Sequence, residues 1–263
     1  MSGRTVSERG FIGVSALLFA ASAAATVVWC ASMSAMGEMP MPGGWTMSMA
    51  WAPMCGQSWS VVAASFIGMW AVMMIAMMLP SLMPMLRRYR EAAAAGGATR
   101  LGWLTATVGA AYFVVWSAAG VAVFALGAAL ATVELRFPAL ARAVPVAMGV
   151  VVVIAGGMQF SAWKARHLAC CREAPARAHV LPARAGTAWR YGLRLGFHCI
   201  GCSAGLTAIF LVGGVMDLRA MAVVTAAVTA ERVAPAGRNV ARGIGAVAVG
   251  VGLWLVVRAA VSG

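Results

Sequence analysis

The sequence predicts an all-α polytopic transmembrane bundle of about six or seven spans, and three observations predict it. Of 263 residues, 62% are hydrophobic and only 10% charged, with a mean hydropathy of +0.88. Soluble domains run at about 45–50% apolar and about 25% charged. The apolar residues also gather in runs of roughly 20 or more, the length that crosses a hydrocarbon layer about 30 Å thick. The charges, finally, lie in the gaps between those runs. One or two cores cannot hide this much apolar surface in a chain of this length. A soluble enzyme, a disordered chain and a disulfide-knotted domain are thereby excluded, and residues 1–263 read as one integral membrane domain in a lipid bilayer.

In chain order, the first span lies near 11–32. It follows Arg4 and Arg9 as a signal peptide would, but exceeds the usual apolar core of about 7–15 residues, so it reads as an uncleaved span. Residues 33–58 form a methionine-rich extracytoplasmic loop. The second span covers 59–86 and the third 101–130, longer than a bilayer needs, so that it tilts or extends beyond the membrane. The fourth covers 144–163 and is followed by a basic cytoplasmic loop over 164–193. The fifth covers 194–213, a short and weak sixth run 215–230, and the last span 243–261. If the sixth run crosses, the two termini lie on opposite sides; if it is re-entrant, they share one.

The formal net charge is +13. Its pattern obeys the positive-inside rule: with the N-terminus cytoplasmic, 16 of the 20 Lys and Arg residues fall inside, leaving Arg136, Arg142, Arg219 and Arg258 outside. No aromatic-basic platform or base-reading motif accompanies them, so nucleic acid is not the expected partner. The expected location is a bacterial inner membrane. Trp29, Trp59, Trp103 and Trp163 stand near span ends, as an interfacial aromatic belt does. Gly243, Gly245, Gly250 and Gly252 suit close helix packing in lipid.

Sulfur carries the chemical signal. Of 19 methionines, 14 lie between Met33 and Met85. Met33, Met36, Met39, Met41, Met47, Met49 and Met54 occupy the outer loop, where a water-facing thioether has no core to fill. Soft thioethers select Cu(I) among biological metals; the competing reading is an apolar lid folded back on the bilayer. In the second span, a spacing of four puts Met69, Met73 and Met77 on one helical stripe, with Met74 and Met78 on the next. Such a stripe passes a soft cation between thioethers or simply packs flexibly. Pro80 and Pro84 interrupt this span and free backbone carbonyls.

A second sulfur group is cytoplasmic. Cys170 and Cys171 follow His167 beyond the fourth span, and His198, Cys199 and Cys202 open the fifth. On a helix, Cys199 with Cys202 (i, i+3) and His198 with Cys202 (i, i+4) share a face. With His167 and Cys171 they make a nitrogen and sulfur set for Cu(I) or for zinc. Cytoplasmic thiols stay reduced, and nearby basic residues favour thiolate, which suits a reactive dithiol equally. Gln159, Asp217 and Glu231 are polar groups near or within spans, where burial is costly. Glu231 has Arg232 and Arg238 as candidate partners, and Asp217 reads as a cap or an outer ligand. No catalytic triad, zincin helix or phosphate-binding loop is present, so a binding role is favoured over an enzymatic one.

From about Met69 to Gly252 the chain resembles a family of predicted metal-binding integral membrane proteins, a domain of unknown function. The resemblance rests on Met69-Trp70 through Met77-Met78-Leu79-Pro80 and Pro84, on Ala155-Gly156 to Lys164, and on Cys171-Arg172. Cys199-Ile-Gly-Cys202, Gly214-Val215-Met216-Asp217, and Glu231 with Pro235 and Gly237 complete it. Two positions depart from the pattern: His167 stands three residues after the lysine where the family has Cys, and Ser203 where a further Cys often follows Cys202. The resemblance implies a metal site. The combined reading is a protein that acquires, delivers or exports Cu(I), with a metalloenzyme or metallochaperone as partner. Alternatives are a thiol-disulfide oxidoreductase, in which Cys199 and Cys202 exchange with Cys170 or Cys171, and an accessory subunit of a membrane complex.

Overall fold

The computed structural model describes residues 2–35, 37–51, 53, 56–173 and 184–262. Eight α-helices stand among them: α1 (Ser2–Ala35), α2 (Trp59–Ala95), α3 (Leu101–Arg136), α4 (Pro138–Met158), α5 (Ala162–Glu173), α6 (Ala185–Gly213), α7 (Leu218–Val233) and α8 (Gly237–Ser262). All except α5 and α7 are long and apolar enough to cross a membrane. Their outward faces are apolar and exposed, with Leu17 at 71%, Leu126 at 63% and Val257 at 62%. Trp59, Trp103 and Trp163 are likewise turned outward. An apolar exterior of this extent matches a lipid solvent rather than water.

Helix α1 runs antiparallel to α2, whereas α5 runs parallel to α6, with His167 opposite His198 and Cys171 opposite Cys202. Arg90 of α2 lies over the Phe11 ring, which sets the start of α1 beside the end of α2. In α7, the shortfall predicted for the sixth run is real: 16 residues rise about 24 Å, less than the hydrocarbon layer. Its first turn nevertheless packs near Gly213, while its last turn reaches Cys199 and Cys202 halfway down α6. Asp217 is a cap: its Oδ1 accepts from the Arg219 and Ala220 backbone N–H groups at 2.7 and 3.3 Å. The last helix α8 then returns along α4, so the two chain ends lie at opposite ends of the bundle.

The contact between α4 and α8 is built on glycine. Gly149 and Gly156 on α4 face Gly252 and Gly245 on α8, each pair seven residues apart. A Cβ added to Gly156 would stand 2.8 Å from the Val249 nitrogen, and one on Gly252 would stand 2.7 Å from that of Val153. Backbone therefore touches backbone, as small-residue interfaces in lipid allow. Gly243 and Gly250, in the same predicted set, face open space.

The methionine-rich loop folds as a hairpin, β1 (Glu38–Met41) and β2 (Trp45–Ser48), closed by a turn in which Gly43 and Gly44 take positive φ. The register opposes Met39 to Met47 and Met41 to Trp45, so these four share one face. That face lies on the junction of α3 and α4, where Met41 and Met47 are buried with Ala131 and Ala141. The Trp45 indole N–H donates to the Ala141 carbonyl at 2.9 Å. Contrary to the sequence expectation, then, Met41 and Met47 do have a core to fill. The hairpin caps that end of the bundle with its sulfurs turned inward, while Met36, Met54 and Cys55 lie outside the described residues. Helix α2, for its part, is not interrupted: it runs on through Pro80 and Pro84, and the Ser81 hydroxyl donates to the Met78 carbonyl at 3.0 Å.

These contacts set one expectation. Replacing Gly156 by Ala should lower the thermal stability of the detergent-solubilised protein by about 1–3 kcal/mol through overpacking. Gly157→Ala, whose new methyl meets nothing within 4 Å, should be neutral or slightly stabilising. Tryptophan-monitored unfolding of both variants checks the pair.

Candidate metal centre

The centre begins with α6. Cys199 and Cys202 lie on its inward face, 0% and 2% exposed, as their i, i+3 spacing predicts. Two other helices complete the group. Cys171, fully buried near the end of α5, brings its sulfur to 3.7 Å from that of Cys202. This is far beyond the bond of about 2.05 Å in a disulfide. It is close to the edge of a tetrahedron whose metal–sulfur bonds are about 2.3 Å. From α2, the Met78 thioether lies 4.0 Å from the Cys199 sulfur. Cys170, next to Cys171, is exposed and takes no part.

At the middle of this group is a side chain that the sequence reading did not place there. Arg232, 6% exposed at the end of α7, sets one guanidinium nitrogen 2.6 Å from the Cys199 sulfur and 3.1 Å from that of Cys202. Its other terminal nitrogen donates to the Ser81 hydroxyl at 3.1 Å. The Tyr112 hydroxyl lies 2.8 Å from the Cys199 sulfur. A guanidinium is always charged, so a full positive charge faces two sulfurs inside the bundle. The bond with Cys202, then burial, pushes the Cys171 thiol well above its ordinary value.

Glu231, which the sequence offered to Arg232 or Arg238, pairs instead with Lys164 at the start of α5. The Lys164 Nζ to Glu231 Oε2 distance is 2.7 Å, with side chains 4% and 2% exposed. Arg172 binds the end of α7 through the Glu231 and Pro235 carbonyls at 2.9 and 3.1 Å, and Arg88 of α2 in turn donates to the Arg172 carbonyl. These links hold α5 and α7 against α2 and fix Cys171 opposite Cys202.

The remaining candidates separate. His167 and His198 face each other, Nδ1 to Nδ1, at 3.2 Å; both are half-buried, and no bond joins them to the sulfurs. A Cβ on Gly201 would stand 2.6 Å from His167 Nδ1, so the missing side chain admits the ring. Met69, Met73, Met74 and Met77 are at most 3% exposed and belong to the core packed on α2; of the five methionines of this stretch, Met78 alone is bonded to a cysteine among the described residues. Arg232, Tyr112 and Ser81 are the residues that sequence reasoning missed. One signal was available, since an arginine following a glutamate in a short apolar run demands a buried partner for each.

Three thiols and a thioether in a dry site form a soft donor set of the kind that takes Cu(I). Among the described residues, no three His, Cys, Asp or Glu side chains are grouped closely enough to hold an ion as they stand. The Arg232 nitrogen occupies the space that an ion shared by Cys199 and Cys202 would fill. A family model described as PpoB2, copper chaperone, matches residues 67–255. The chain belongs to this family. The PpoB2 match spans the stretch that carries the sequence resemblance and contains every residue of the sulfur group. No curated protein and no solved structure matches the chain.

The buried Lys164–Glu231 pair sets a second expectation. Lys164→Met alone leaves a buried carboxylate unpaired and should cost about 3–5 kcal/mol. Adding Glu231→Gln should restore most of that, and a double-mutant cycle by thermal unfolding measures the coupling.

Proposed function

We propose that the chain is an integral-membrane copper chaperone of the bacterial inner membrane, N-terminus cytoplasmic, carrying Cu(I) on Cys199 and Cys202. The observation that supports this most is the buried group itself: Cys171, Cys199, Cys202 and Met78 within bonding range of one another or of Arg232, in a chain of the PpoB2 copper-chaperone family. Cu(I) is the cargo. Cys199 and Cys202 supply an electron pair each, any thiol still protonated gives up its proton as its sulfur binds, and Cys171 or Met78 stands ready as third donor. No electron is transferred. Zinc is less well served, because neither histidine is bonded into the sulfur group.

Charge explains Arg232. Two thiolates around one Cu(I) carry a net charge of −1, which is costly in a dry interior. The guanidinium cancels it by moving from between the sulfurs to beside them. Loading is thus an exchange of one cation for another at the thiolates, with Arg232 close enough to return on release. The buried thioethers of Met69, Met73, Met74, Met77 and Met78 form a column about 14 Å long on α2, ending at Cys199. They offer a soft path from the hairpin end. The half-buried pair His167 and His198 offers a transfer point toward a partner metalloenzyme or metallochaperone on the basic face.

The reading is tested on the full chain in detergent, under reductant, by titrating Cu(I) against a chromogenic Cu(I) chelator. About one Cu(I) per chain is expected. Cys199→Ser or Cys202→Ser should abolish it, and retention of stoichiometric Cu(I) by the double variant overturns the assignment. Arg232→Met should weaken binding about 10- to 100-fold, the usual cost of losing a group that supports metal ligands, and Arg232→Lys by less. His167→Ala and His198→Ala should leave the affinity nearly unchanged but slow release to a chelating acceptor.

A further inference from the structure

A second group of polar side chains lies at the basic end of the bundle, sharing Lys164 with the surroundings of the sulfur group. Where α4 gives way to α5, the chain and the first turns of α8 enclose a cavity of about 410 Å³. Three arginines line it, Arg166 from α5 and Arg238 and Arg242 from α8, together with Lys164 and Gln159. Among the described residues, no carboxylate lines it. Lys164 is already neutralised by Glu231, which leaves the three guanidinium groups as the cavity's uncompensated charge among the described residues. Arg238 and Arg242 are four residues apart on one helix face, an arrangement that repels unless an anion intervenes.

Gln159 makes this more than a solvated basic rim. It is 4% exposed, and both its carboxamide atoms are buried without a hydrogen-bond partner among the described residues. Such groups are rarely left unsatisfied, because each costs the full desolvation of the polar atom. Gln159 is held in place by α8, where Gly245 leaves room for its Cβ. A buried amide donor and three guanidinium groups around one cavity form a recognition set for a tetrahedral oxyanion. At the rim, Phe160 is 51% exposed, giving the site an apolar lip at the level where a span ends.

We propose that this cavity binds a phosphate group, either the phosphodiester of an anionic phospholipid headgroup or a free phosphate, with the Gln159 amide and Arg166, Arg238 and Arg242 as its donors. The site is independent of the copper assignment. It touches that assignment only through Lys164, which lines the cavity and is paired with the neighbour of Arg232.

Two probes separate the sources. The full chain in micelles doped with phosphatidylglycerol or phosphatidylcholine is examined by native mass spectrometry for retained lipid. The same chain in phosphatidylcholine nanodiscs is titrated with inorganic phosphate and its unfolding temperature followed. Selective retention of about one phosphatidylglycerol supports the headgroup source; a saturable stabilisation by phosphate supports the free anion. In either case, Gln159→Leu and the pair Arg238→Gln/Arg242→Gln should each weaken the effect about tenfold or more, in line with loss of a charge-assisted hydrogen bond. Arg100→Gln, an exposed arginine of the same end, should not. Because Gln159 has no partner to lose and both arginines are exposed, these variants should fold, which unfolding without ligand verifies. Failure of the wild-type chain to respond to either probe overturns the proposal, as does an equal loss in Arg100→Gln.

Discussion

A guanidinium enclosed by sulfur is the constraint on which the rest of this structure depends. Away from water, the charge of Arg232 needs counter-charge and hydrogen-bond acceptors from every element that surrounds it. Cys199 and Cys202 come from α6, Ser81 from α2, and Tyr112 of α3 closes over the Cys199 sulfur. Four helices must therefore be in register before the charge is satisfied. An isolated charge in such surroundings is expensive enough to unfold a domain. The same demand accounts for the length of α7, which stops at the depth of the sulfurs instead of crossing fully.

Around this centre the cations form a series of clamps. Lys164 holds Glu231, Arg172 holds the carbonyls that end α7, and Arg88 holds the carbonyl of Arg172. Each fixes α5 or α7, the two helices too short or too polar to be held by lipid. Helix α5 would otherwise have little reason to lie where it does, and without it Cys171 would not meet Cys202. Polar bonds thus place the thiols, and apolar packing supplies the dry space in which their softness counts.

The span pattern was legible in the sequence because composition and run length decide it: every predicted span lies largely on a helix, the fourth (144–163) overrunning the turn at 159–161 between α4 and α5, and the weak sixth run is the short α7. The i, i+3 face of Cys199 and Cys202 was legible for the same reason, as helical periodicity is local. Contacts across helices were not. The sequence grouped His167 and His198 with the cysteines because they are neighbours along the chain, yet they turn to each other instead. Glu231 was offered its nearest cations and took one 67 residues away. The hairpin was hidden because its strands have four residues each and its apolar face looks inward only once α3 and α4 are in place. Of the methionine stripe, burial was foreseeable and the approach of Met78 to Cys199 was not, since it depends on how α2 packs on α6.

The glycine contact between α4 and α8 divides the molecule mechanically. Two helices whose backbones touch at Gly149, Gly156, Gly245 and Gly252 cannot slip by one residue without driving Val249 or Val256 into a main chain. They behave as a single stiff strut. Helices α5 and α7 lie outside that strut, joined to their neighbours by the Lys164–Glu231 pair, the Arg172 and Arg88 bonds and the buried side chains of Leu168, Met221, Val224 and Val228. Because α5 leaves the strut through only three residues, 159–161, a small rotation there would carry the Cys171 sulfur away from Cys202 while the frame stays still. The helix that completes the sulfur group thus joins the stiff part of the molecule through a link of only three residues.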